Sequence, residues 1–201
     1  MPTHFAISEL ILTITCAGAM WNLWNRTFRL AAIATGILGF AAGLGTIRFS
    51  FGLGPDFAAM HRFVAQHGGV IAAGLIAMSL TKSLVAPEHR SYFVGVMAVA
   101  VSASTISGLI ISSLLPPILM AWAMIIVLLA PLQTNQKSAT RMLAFAFAAI
   151  LPLNALFVRR SPALSVDVSW HLYHVLLAVW VIAVVAILVS TRDERPAFVD
   201  G

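Results

Sequence analysis

Asp167, His171 and His174 begin the last apolar stretch of a 201-residue chain. At 100° per residue they point within about 60° of one another, as one polar stripe on an otherwise apolar helix. Imidazoles on successive turns can ligate a metal while a carboxylate orients a ring or a bound water. A third ligand must then come from another helix. His61 and His67 are the candidates, and they stand about 240° apart around theirs. His67 is the deeper and is flanked by Gln66 and two glycines, so His67, His171 and His174 form the expected metal set. Asp167 is the expected general base or orienting carboxylate, and Glu9 the second candidate.

Other polar residues gather at the same level. His4 and Glu9 open the first apolar run, Arg48 closes the second, and Asp56, His61 and Arg62 open the third. Asn154 and Pro152 end the sixth. Of six histidines only His89 maps to the opposite face. Ionisable groups in hydrocarbon are costly and usually functional. Arg48 and Arg62 are expected to snorkel or to pair with Asp56 or Glu9. Alternatively, with His61, they bind a substrate's headgroup or carboxylate. Three readings of the histidines stand side by side: interfacial side chains hydrogen-bonded to water beside Trp170 and Tyr173, ligands of a metal, or axial ligands of a haem, with His67 facing His171 or His174.

The elements that must position these residues are membrane spans. The chain is 60% apolar and 9% charged, against roughly 25% charged in soluble domains. A span needs about 20 apolar residues. Seven fit, at about 5–24, 28–49, 58–84, 92–111, 118–132, 141–158 and 168–191. The expected fold is therefore all-α, one polytopic bundle of about seven transmembrane helices over 1–201, with Pro152 as a kink. Merging the fourth and fifth spans would give six and put both termini on one side. Gly39-x-x-x-Gly43 marks a close helix contact. The first run lacks a basic leader, so it is expected to stay as a permanent span.

Twelve Lys and Arg against seven Asp and Glu give a net charge of +5. They lie singly or in pairs between apolar runs, which excludes nucleic acid and makes membrane lipid the expected partner. With seven spans, one side collects Arg26, Arg29, Lys82, Arg90, Lys137, Arg141, Arg192 and Arg195. The other collects Arg48, Arg62, Arg159 and Arg160. The positive-inside rule then places the chain in the cell (inner or plasma) membrane, N-terminus outside and C-terminus cytoplasmic.

Seven spans with Asp167-Val-Ser-Trp-His171-Leu-Tyr-His174 at the start of the last one resemble the alkaline ceramidase and adiponectin-receptor superfamily, which includes small bacterial members. The resemblance implies zinc, bound by a last-helix histidine pair and an early-helix histidine, and hydrolysis of a lipid amide. Asp167 matches the leading position of that pair and His171 the second, with His174 additional. Arg48 stands where the early histidine is expected, and His67 would take its role. The implied protein is a zinc-dependent hydrolase of a lipid amide or related amphiphile at the extracytoplasmic side. A non-catalytic lipid-binding or receptor-like protein and a bis-histidine haem protein are the alternatives. A retinal opsin is excluded because the only lysines, Lys82 and Lys137, lie away from the last helix.

Overall fold

The computed structural model describes residues 2–84, 153–159 and 161–193, with scattered helical positions at 91–106 and 142–151. No strand occurs among the described residues. Among the described residues four helices are long and apolar enough to cross a bilayer: α1 (Phe5–Asn25), α2 (Arg29–Phe51), α3 (Pro55–Leu84) and α4 (Val166–Asp193). They correspond to the first, second, third and last expected spans. The expected span 118–132 falls outside the described residues, 92–111 mostly so and 141–158 in part, and Pro152, His89 and the tail from Glu194 also lie outside them.

The helix ends follow from local chemistry. α1 stops where Thr27 takes a left-handed φ of 69°. The Phe28 N–H then donates to the Leu23 carbonyl at 2.9 Å, the reverse bond that closes a helix. Gly52 does the same for α2 at φ 60°, and Leu53 N–H reaches the Arg48 carbonyl at 3.0 Å. Pro55, with φ already helical and no N–H to lose, starts α3. α4 starts two residues before the expected boundary. The Ser165 hydroxyl accepts from Val168 N–H at 3.3 Å, which caps the first turn. Just before α4, residues Asn154–Val158 form a π-turn in which Arg159 N–H donates to the Asn154 carbonyl at 3.0 Å.

α1 and α2 pack antiparallel through small residues. A Cβ on Gly39 would sit 2.9 Å from the Cys16 Cβ, so the helices meet there at backbone distance. Gly43, its partner in the sequence pattern, has nothing closer than the Thr13 Cγ2 at 3.8 Å. The core below is apolar: Leu12, Leu23, Ile76, Leu80, Trp180 and Leu188 are all buried. Ile7, Ile14, Trp21, Phe40 and Ile182 point outward, as lipid-facing side chains do.

α1 and α4 run parallel, because His4 meets Asp167, Ser8 meets His171 and Glu9 meets His174. α2 turns back on α1 and α3 turns back on α2, so α3 is parallel to both. The end of α3 and the start of α4 therefore lie at opposite ends of the bundle.

Candidate functional site

The polar residues of the helix starts converge between α1, α2, α3 and α4. Glu9 is 2% exposed, and its carboxyl group lies in the hollow left by Gly45 of α2. A Cβ at position 45 would come within 2.6 Å of the Glu9 Cδ and Oε1. Glycine there makes room for a side chain as well as for a helix.

Glu9 Oε1 stands 3.3 Å from His174 Nε2. His174, 8% exposed, contacts the backbone carbonyl of Trp170 through Nδ1 at 2.7 Å. A carbonyl can only accept, so Nδ1 carries the hydrogen. Nε2 is left facing the carboxyl group. A proton shared by Glu9 and His174 satisfies both groups in a place shielded from bulk water.

A second link joins the same helices. Ser8, 1% exposed, lies with its Oγ 3.0 Å from His171 Nδ1. Its hydroxyl also reaches the Phe5 carbonyl at 3.3 Å. The His4 ring lies 5.2 Å from that of His171, and His4 Nε2 is 3.7 Å from Asp167 Oδ1. His4 and Asp167 are exposed. Asp167, the carboxylate the sequence favours as base, thus sits at the surface. Glu9, the second candidate, is the buried one.

Aromatic rings hold these groups in place. Phe5 stacks on Trp170 at 5.1 Å, and Phe49 meets both edge-on, at 5.6 and 5.3 Å. Such pairs contribute about 1 kcal/mol each beyond area burial. Phe49 carries the His61 ring at 6.4 Å, and Phe5 carries His171 at 5.7 Å. His61 is 6% exposed and its Nδ1 is buried without a hydrogen-bond partner among the described residues. It lies within the field of Glu9, Arg48, His174 and Arg62. His67 is half-buried against Phe63, 4.4 Å away. Six residues apart on one helix, the two histidines face different ways. It is the His61 ring that comes within range of Glu9 and His174.

The π-turn is tied to the same region. Asn154, 1% exposed, donates from Nδ2 to the Tyr173 carbonyl at 2.7 Å, and the Ser169 hydroxyl donates to the Val158 carbonyl at 2.8 Å. Asn154 therefore joins the histidine level, as its position in the sequence suggested. Arg159 lies over the Tyr173 ring at 5.2 Å. Arg48 lies over the Phe49 ring at 4.8 Å, while Arg62 is exposed.

Catalytic zinc takes three protein ligands. Among the described residues no group of three His, Cys, Asp or Glu is placed to hold a metal ion. His171 spends Nδ1 on Ser8, His174 faces Glu9, and His67 lies on Phe63. This donor set does not fit the expected zinc site, so no step below runs through a metal.

Sequence reasoning did not single out Ser8 or Gly45. A signal for Ser8 existed: His4 and Ser8 repeat the four-residue spacing of Asp167 and His171, as two parallel stripes would. Gly45 had none, since one glycine in a glycine-rich helix looks like any other. Comparison with protein-family models, curated proteins and solved structures gives no significant match.

Proposed function

We propose that this chain is a membrane-embedded hydrolase that cleaves an amide or ester bond of an amphiphile entering from the extracytoplasmic leaflet. The observation that carries the proposal is the buried Glu9–His174 pair, with 3.3 Å between Oε1 and Nε2. The sequence resemblance to the alkaline ceramidase and adiponectin-receptor superfamily points to the same substrate class.

The chemistry is general acid–base catalysis. The Glu9 carboxylate removes a proton from water as the water oxygen bonds to the substrate's carbonyl carbon. When the carbon–nitrogen or carbon–oxygen bond breaks, the Glu9–His174 pair returns that proton to the leaving group. Both groups then regain their starting states. Gly45 and the Trp170 carbonyl fix the partners from either side, and low exposure keeps bulk water from competing for the proton.

The test is turnover by the purified full-length chain in neutral detergent, with long-chain amides and esters as substrates and products read by mass spectrometry. Glu9→Gln and His174→Gln should each lower the rate at least about 100-fold, with helix content unchanged. A chelator arm reports on zinc. Absence of product from every amide and ester, or unchanged rates in both variants, would overturn the proposal.

A further inference from the structure

A ladder of proton-carrying groups runs inward between α1 and α4. At its outer end His4 Nε2 stands 3.7 Å from Asp167 Oδ1, and both side chains are exposed. One turn further along each helix, the Ser8 Oγ lies 3.0 Å from His171 Nδ1, and the His171 ring lies 5.2 Å from that of His4. One residue on along α1 and one turn on along α4, Glu9 Oε1 lies 3.3 Å from His174 Nε2. Exposure falls along the ladder. His4 and Asp167 are open, His171 is half-buried, and Ser8, Glu9 and His174 are buried. Beyond them Leu12 on α1 and Leu177 on α4 are buried and apolar, so the ladder ends at the Glu9–His174 pair. The Ser8 hydroxyl can turn between the Phe5 carbonyl, at 3.3 Å, and His171 Nδ1, giving or accepting at the latter. Helix packing alone would be served by apolar side chains, and ionisable groups inside a membrane are costly. His61, carried on Phe49, and Arg48, over the same ring, flank the inner end from α3 and α2, and Arg159 lies over Tyr173.

We infer that His171 is a proton relay, which with Ser8, His4 and Asp167 connects the buried Glu9–His174 pair to water at the surface end of α4. This rests on the proposed hydrolytic site and gives it a route for its product proton. Ester and water go in. Alcohol, carboxylate and one proton come out, because the carboxylic acid product ionises near neutral pH. Inside the site the Glu9–His174 pair receives that proton, shielded from bulk water. His171 takes it up on one ring nitrogen and releases a proton from the other, as an imidazole can near neutral pH. The proton then passes to the His4–Asp167 couple and to water. The step from His174 to His171 covers one turn of α4, about 4.5 Å along the axis. One hydrogen-bonded water bridges a gap of that size.

The test uses the full-length protein in neutral detergent. Proton NMR follows the signal of the proton between Glu9 and His174, identified by its loss in His174→Gln. Saturation transfer from water gives its exchange rate. Asparagine at position 171 keeps a hydrogen bond to Ser8 but carries no proton charge at neutral pH. His171→Asn should therefore hold the thermal midpoint while slowing the exchange about tenfold. His67→Asn, off the ladder against Phe63, should leave the exchange as it is. Turnover of a long-chain ester is the second readout. His171→Asn should lower kcat about tenfold with KM unchanged, less than the loss in Glu9→Gln, because the acid–base pair itself remains. Imidazole added to the buffer should restore that rate in proportion to its concentration, which a merely structural histidine would not allow. The exchange readout needs no substrate, so it stands even if the chain cleaves no ester. Exchange in His171→Asn as fast as in the unaltered chain, equal slowing in His67→Asn, or lost turnover that imidazole fails to restore would overturn the inference.

Discussion

Glu9 and His174 meet at 3.3 Å across α1 and α4, and the carboxyl group of Glu9 fills the space of the side chain that Gly45 lacks. Three helices thus fix one acid–base pair. Alanine at position 45 tests this arrangement directly. Its Cβ would come within 2.6 Å of the carboxyl group, so Glu9 must swing away from His174. Gly45→Ala should destabilise the fold by about 1–3 kcal/mol, as overpacking does, and should abolish turnover. A variant with the midpoint and rate of the unaltered protein would show that Glu9 has other room.

The tautomer of His174 is a second expected outcome. Because Nδ1 faces the Trp170 carbonyl at 2.7 Å, the neutral ring must keep its hydrogen there. Nitrogen NMR of histidine-labelled protein should show an Nδ1–H signal that disappears in His174→Gln. If every ring carried its hydrogen on Nε2 when neutral, the proton-sharing geometry would be wrong.

Two glycines of one motif should behave differently. Gly39→Ala places a Cβ 2.9 Å from the Cys16 Cβ, whereas Gly43→Ala meets nothing nearer than 3.8 Å. The first should cost about 1–3 kcal/mol by forcing helices apart. The second should be neutral or slightly stabilising, since alanine is the better helix former. Thermal midpoints of the two variants in the same detergent decide it.

The parallel course of α1 and α4 puts the start of α1 and the end of α4 on opposite sides of the membrane. Cys16 is buried and the only cysteine, so it should stay silent to a membrane-impermeant maleimide. Thr3→Cys and a cysteine reporter after Asp193 should then label from opposite sides of the membrane, one in sealed right-side-out vesicles and the other only once the membrane is opened. Labelling of both ends from one side would contradict the parallel course of α1 and α4.

Composition alone determined that lipid is the solvent, because so few charges cannot cover so much apolar surface. Span length and punctuation located four helices to within three residues at their ends, since Thr27, Gly52, Pro55 and Ser165 act through local backbone chemistry. Helical spacing put Asp167, His171 and His174 on one face, because that periodicity belongs to a single element. What no single element contains was decided by tertiary packing. The sequence favoured Asp167 and His67. The folded chain leaves Asp167 exposed beside His4, lays His67 against Phe63, and buries Glu9 with His174 and His61 nearby. The rotation of one helix against another chooses which turn faces inward. That rotation is set by close contacts such as Cys16 on Gly39 and Glu9 on Gly45, between residues far apart in the chain.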